Sequence, residues 1–169
     1  MKLHIVGKEI KDGWKILNIQ KFDGVDYQGD ISDLSQFEDN SIDEIYASHV
    51  VEHVPKKKIM ETLKGVHRVL STNGKFFISV PDMDILCKIF IDPKASTKVK
   101  FHAMQMMFGG QIDEFDFHYF GWNLEFIRDF LFKAGFKKVD RVKSFSIFKD
   151  TSDYAPYGPP ISLNVIAYK

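Results

Sequence analysis

Residues 47–55 read ASHVVEHVP, which sets His49, Glu52 and His53 in the spacing H-x-x-E-H. On an α-helix, positions four apart share a face. His49 and His53 would then offer two imidazoles to one metal ion, with Glu52 as a general base, the layout of an inverted zinc-protease motif. The chemistry would be zinc-dependent hydrolysis through His49, Glu52 and His53. It needs a helix and a third ligand. Pro55 follows His53 by two residues, and helical spacing begins only at Lys56. No third ligand with a supporting helix is identifiable. The motif therefore reads as the link between a strand and a helix, and the expectation is that no metal is bound.

The elements around it support that reading. Ile42 to Ser48 (IDEIYAS) alternates and then turns apolar, as a strand does. Lys56 to Leu70 carries apolar residues at 59, 60, 63, 66, 69 and 70, one face of a helix. Pro55 starts this helix, where its missing N–H costs nothing, and Thr72-Asn73-Gly74 stops it. Lys75 to Val80 (KFFISV) is a continuous apolar run, which suits a strand covered on both faces. Upstream, Leu3–Val6, Trp14–Ile19 and Gly24–Gln28 are short strands with little room between them for crossover helices. Asp33 to Phe37 is at most a helical turn. Downstream, Met83–Phe90, Lys98–Phe108 and Asn123–Ala134 have helical spacing, and Gly135 caps the last. Gly109 to Gly121 is a polar and aromatic loop. Lys138–Phe148 and Ile161–Tyr168 read as two closing strands. Strands alternating with helices, then a closing antiparallel pair, define an α/β fold with a mostly parallel sheet.

The bulk composition narrows the function classes. The chain has 169 residues, 44% hydrophobic and 27% charged, which fits one domain spanning 1–169. Lys plus Arg and Asp plus Glu are 23 each, so no overall charge favours nucleic acid or an anionic membrane as partner. One cysteine, Cys87, excludes a disulfide framework. No run approaches the roughly 20 apolar residues of a membrane helix, and the N-terminus lacks a signal-peptide layout. The expected location is cytoplasmic. Six of the 16 phenylalanines fall between Phe101 and Phe126. Core packing explains such spacing most simply, and it leaves room for a homodimer.

In sheets of this kind, ligands bind outside the carboxyl ends of the strands, where the strand order reverses. The residues to examine are thus Gly7-Lys8, Asn18-Ile19, Gly29-Asp30-Ile31, Ser48-His49 and Pro81-Asp82. In this region the sequence resembles a known family. DNSIDEIYASHVVEHVP, followed by GVHRVLSTNGKFFISVPD, resembles the central half of a small class I S-adenosylmethionine-dependent methyltransferase. The stretches Phe108-Gly109-Gly110-Gln111 and Asp116-Phe117-His118-Tyr119-Phe120-Gly121-Trp122 narrow the likeness to a short bacterial group within that family. The resemblance implies a three-layer Rossmann-like sheet in the order 3-2-1-4-5-7-6, with strand 7 antiparallel. It also implies reduced helices between the first strands and a lid over residues 83–122.

The resemblance further implies S-adenosylmethionine as cofactor and a small-molecule or sugar-like methyl acceptor. Gly7 belongs to the loop under the methionine end, and Asn18 stands where the family has an acid for the ribose. Gly29, Asp30 and Ile31 lie against adenine, and Ser48 faces the sulfonium. His49, His53 and His118 are the candidate bases, because imidazole titrates near neutral pH; His49 and His118 are assigned as catalytic. Three positions depart from the family. Val6 brings a branched side chain where backbone should approach the ligand. Lys8 brings a cation near a sulfonium. Asn18 replaces a charge-assisted hydrogen bond with a neutral one. These departures leave open a non-catalytic binding protein of the same fold.

Overall fold

The computed structural model describes residues 1–169. The strands are β1 (Lys2–Ile5), β2 (Trp14–Asn18), β3 (Tyr27–Gln28), β4 (Ile42–Ser48), β5 (Leu70–Pro81), β6 (Lys138–Val142) and β7 (Ser162–Tyr168). The helices are α1 (Lys56–Val69), α2 (Met83–Ile91), α3 (Thr97–Phe108) and α4 (Leu124–Ala134). All seven strands join one sheet in the order β3-β2-β1-β4-β5-β7-β6. The pairs from β3 to β5 are parallel. β7 runs antiparallel to both β5 and β6. The expected order and closing antiparallel strand are both present.

Strand alternation divides the core into two faces. Leu3 and Ile5 of β1, Ile45 and Ala47 of β4, and Phe76, Ile78 and Val80 of β5 point to one face. There they meet Ile59, Leu63, Val66 and Val69 of α1 and Ile127 and Leu131 of α4. Truncating one of these, as in Leu63→Ala, should cost about 2–5 kcal/mol. The other face is served by a smaller cluster of Trp14, Tyr46, Phe77 and Phe148, with Phe145, Ile147 and Ile166 packed against it. A connecting segment, rather than a helix, supplies Phe145, Ile147 and Phe148.

That segment corrects one expected boundary. The strand expected over 138–148 stops at Val142. Beyond it the chain leaves the sheet edge to bury Phe148 against His4, at 3.9 Å between ring centroids, and against Tyr46. Asn164 of β7 holds the departure by donating to the Lys143 and Ser152 carbonyls. A second correction concerns Thr72-Asn73-Gly74. Instead of standing between helix and strand, these residues lie within β5, because α1 passes into it directly at Leu70. The pairing jumps from Ile42↔Leu70 to Glu44↔Lys75, so the extra residues bulge outward. A Cβ on Gly74 would stand 2.9 Å from the Ser71 carbonyl oxygen, which is why the bulge needs glycine. β3 is also shorter than expected, and only Tyr27 and Gln28 pair.

Elsewhere the end signals match. Asn123 caps α4 by accepting from the Phe126 N–H, and Gly135 closes it at φ 111°. Asp82 caps α2 through the Asp84 N–H, and Arg141 pairs with the same carboxylate at 2.8 Å. No helix is long and apolar enough to cross a membrane.

Candidate functional site

β1 and β4 are neighbours at the centre of the sheet. The chain leaves β1 toward β2 on one side, while β4 leads through α1 to β5 on the other. This is the point where the strand order reverses, and a crevice forms there. The first residue beyond each strand has a left-handed backbone. Val6 has φ 59° and His49 has φ 53°. The Val6 N–H donates to the Leu17 carbonyl at 2.7 Å, and the His49 N–H to the Ser79 carbonyl at 2.8 Å. These bonds hold both turns in place. For a β-branched residue such a backbone is an outlier costing about 1–3 kcal/mol. Val6 therefore has the conformation a glycine would have, although it keeps its side chain.

A cleft of about 350 Å³ opens at these exits, within the range of small-molecule sites. Its walls include Val6, Ile19, Asp30, Ile31, Ser32 and His49, and on the far side His53, Lys58, Glu114, Phe115 and Tyr119. Asp30, Ile31 and His49 thus line it as expected. Asp30 accepts from the Ser32 N–H through Oδ1 at 2.6 Å. Gly7, Asn18, Gly29, Ser48 and His118 are not part of the lining. Asn18 is buried, donates to the Gly7 carbonyl at 3.4 Å and accepts from the Gln20 N–H at 2.9 Å. It ties the exits of β1 and β2 together behind the wall. Gly7 lies over His4, where a Cβ would come 2.4 Å from Nδ1. Burial holds the His4 imidazole down at about 4. Ser48 is half-buried, and its Oγ has no hydrogen-bond partner.

The far wall concentrates the polar chemistry. Val51–His53 forms a single 3₁₀ turn rather than an α-helix, so His49 and His53 do not share a helix face. His49 lies with Nδ1 3.2 Å from Glu52 Oε1 and Nε2 3.0 Å from Ser162 Oγ. Ser162 donates its own proton to the Thr151 carbonyl, so its oxygen accepts from the His49 Nε2–H. Both ring nitrogens of His49 are therefore engaged within the fold.

Glu52 is 1% exposed. Although His49 Nδ1 is at ion-pair distance, neither carboxylate oxygen receives a hydrogen bond of good geometry. Burial pushes its carboxyl up, and the imidazoles of His49, His53 and His118 pull it below the ordinary range when they are protonated. His118 packs edge-on against His53, with ring centroids 4.8 Å apart. Burial lowers the His118 imidazole. His53 donates from Nδ1 to the Phe117 carbonyl and His118 from Nδ1 to the Met106 carbonyl, each at 3.1 Å. The Tyr119 N–H donates to the Glu52 carbonyl at 2.8 Å and so ties the 109–121 loop to the turn. One ligand atom each of Glu52, His53 and His118 lies within 4.8 Å of the others. The cluster joins Glu52 and His53 of the turn to His118 of the loop.

Of the remaining wall, Glu114, Phe115 and Tyr119 gave no signal beyond the aromatic density of that loop. Val6 could be singled out from the sequence, but only as a misfit.

The sheet order, the central cleft and the antiparallel β7 define the class I methyltransferase fold. Residues 3–78 match the family described as "Methyltransferase domain". A SAM-dependent methyltransferase from Archaeoglobus fulgidus superposes with a TM-score of 0.62 at 16% identity, covering 99% of this chain and 85% of that one. A Thermotoga maritima SAM-dependent methyltransferase, described as a possible histamine N-methyltransferase, gives 0.61 at 15% identity over 99% and 81%. The Burkholderia thailandensis 1,6-didemethyltoxoflavin-N1-methyltransferase, solved with its substrate and S-adenosylhomocysteine, gives 0.60 at 14% identity over 99% and 70%. No curated protein sequence matches the chain. The fold is that of a class I methyltransferase, and the likeness in sequence to the methyltransferase domain family covers residues 3–78.

Proposed function

We propose that the chain is an S-adenosylmethionine-dependent methyltransferase acting on a small-molecule acceptor, with residues 1–169 working as one domain and 83–122 as its lid. The observation that carries this reading is the cleft at the β1 and β4 exits, flanked by the left-handed Val6 and His49. The residues there fit the cofactor. Ile31 and Ile19 give an apolar surface for a purine. Asp30 has a second carboxylate oxygen free for a polar partner. Val6 takes the backbone conformation that a glycine would supply under the methionine end.

When bound, S-adenosylmethionine supplies an electrophilic methyl group, and the protein's task is alignment. Asp30 and Ile31 hold one end, and Val6 limits the depth of approach. Tyr119 and Phe115 close the side toward the lid and exclude water. His49, fixed by Glu52 and Ser162, is a wall that positions the acceptor. His118 lies behind the cleft lining, and its Nε2, left unprotonated by the bond from Nδ1 to Met106, takes a proton only while no metal ion occupies it.

Asn18 favours a second reading, a binding protein without methyl transfer. Its side chain is spent on Gly7 and Gln20, so it cannot replace the family's ribose-binding acid. The loss of one charge-assisted bond costs roughly 1–2 kcal/mol, about tenfold in affinity. That weakens the cofactor site without removing it. The experiment is calorimetric titration with S-adenosylhomocysteine, followed by transfer of labelled methyl to a library of small hydroxyl and amine acceptors. Binding with turnover supports the first reading, and binding of neither cofactor form contradicts it.

A further inference from the structure

We propose that Glu52, His53 and His118 form a binding site for a divalent first-row metal ion of the zinc type, on the acceptor side of the cleft. This differs from a metal site on the H-x-x-E-H pattern, because His49 is committed elsewhere and His118 takes its place.

Three independent features point to it. The first is proximity, since one ligand atom from each of the three residues lies within 4.8 Å of the others. Tetrahedral zinc at 2.0–2.1 Å from each donor needs donors about 3.3–3.4 Å apart. The side chains therefore have to draw in by roughly 1.5 Å at most, which small side-chain rotations supply.

The second feature is protonation. A carbonyl only accepts, so Phe117 and Met106 each require an N–H at Nδ1 of the imidazole they hold. In the neutral rings Nε2 then carries the lone pair. Metal-binding histidines are oriented in this way, with the second nitrogen donating to a backbone carbonyl.

The third feature is the carboxylate. Glu52 is 1% exposed and neither oxygen has a hydrogen-bond partner. A buried charge left so poorly satisfied is costly. His49 at 3.2 Å offsets part of that cost only in its protonated form, and a cation between Glu52 and the two imidazoles would offset it directly.

Two imidazoles and one carboxylate are the donor set of an open zinc site, with a fourth position for water or substrate. His53 also lines the cleft, so the fourth position can reach an acceptor held there. If the methyl-transfer reading holds, this site favours acceptors that present an oxygen or nitrogen donor. The metal would lower the pKa of a bound hydroxyl, and the released proton would pass to solvent. Metal binding itself does not rest on that reading.

The test uses untagged full-length protein, stripped with a chelator and exchanged into clean buffer. It is titrated with Zn²⁺ by calorimetry and with Co²⁺ by visible absorption. The expected result is one ion per chain and a Co²⁺ d–d band. His53→Ala and His118→Ala should each weaken binding by more than the roughly 10–100-fold that an outer-shell partner carries. His102→Ala and His67→Ala, outside the cluster, should leave it unchanged. Because His118 also pins the loop, His118→Gln and a thermal melt separate loss of the ligand from loss of the fold. The proposal is overturned if wild type binds no stoichiometric ion, or if folded His53→Ala and His118→Gln bind it as wild type does. S-adenosylhomocysteine titration of the same samples keeps the two readings apart. Cofactor binding without metal sinks only this proposal, and metal binding without cofactor sinks only the methyltransferase.

Discussion

The two walls of the cleft treat their polar groups in opposite ways. On the β1–β2 side they are mostly tied into the fold. Asn18 bonds Gly7 and Gln20, one Asp30 oxygen caps the Ser32 N–H, and His4, whose Nδ1 has no hydrogen-bond partner, is buried in an aromatic stack. On the β4 side they are in surplus. Both Glu52 oxygens lack hydrogen bonds, and Nε2 of His53 and His118 is left with a lone pair. A wall whose polar groups are bonded mainly to its own backbone holds a shape. A buried wall with unmet polar groups destabilises the fold, and persists where a ligand meets those groups. The first therefore suits a cofactor that brings its own reactivity, and the second suits the place where reaction is controlled.

The largest effect that could break this contrast is at Glu52. Glu52→Gln removes a buried, poorly paired charge while keeping its volume. The expected outcome is loss of Zn²⁺ binding together with metal-free stability equal to wild type or higher by about 1 kcal/mol. Denaturant unfolding in chelator measures it. A marked loss of metal-free stability would make Glu52 an ordinary structural residue and erase the difference between the walls.

His4 tests the other wall. Burial depresses its imidazole to about 4 from an ordinary 6.5, with Asp150 and Glu9 pulling only partly back. The unfolded chain therefore binds the proton more readily. The stability His4 permits is fully present above about pH 6.5 and is lost as pH falls through 4. The whole shift corresponds to roughly 3 kcal/mol. Unfolding free energies at pH 7.5 and 4.5 should differ less in His4→Phe than in wild type, and equal slopes would contradict the assignment.

A smaller effect is expected at Asp30. Asp30→Ala should weaken S-adenosylhomocysteine about tenfold and leave Zn²⁺ binding unchanged. If both ligands weaken, the walls are not separable.

The smallest effect is expected at Val6. Val6→Gly relieves a left-handed valine, worth about 1–3 kcal/mol, against about 0.5–1 kcal/mol for glycine's extra chain entropy. Net stability should hold or rise by about 1 kcal/mol. The same change at Val80, fully buried in β5, should cost several kcal/mol, and a comparable cost at Val6 would show that its backbone is not strained.

Local rules made much of the fold legible. The α1 and α4 stripes, the Gly135 cap and the β4 alternation rest on neighbours in sequence, and the strand order followed from the family resemblance. The early end of β6 was not legible, because Phe145 and Phe148 leave the edge to cover a distant aromatic face. Asp30, Ile31 and His49 could be placed in the cleft from strand exits. Asn18 could not be placed behind the wall, because its hydrogen bonds depend on how the β1 and β2 exits meet. The Glu52–His53–His118 cluster was hidden for a similar reason. Its third member arrives from a loop far along the chain, and the H-x-x-E-H spacing pointed to His49 instead.

The cleft is expected to hold the cofactor despite Val6 and Asn18. Calorimetric titration of the intact chain with S-adenosylhomocysteine tests it most directly. One site per chain, weakened about tenfold by Asp30→Ala, is the predicted result. No heat and no thermal shift at millimolar ligand would contradict it.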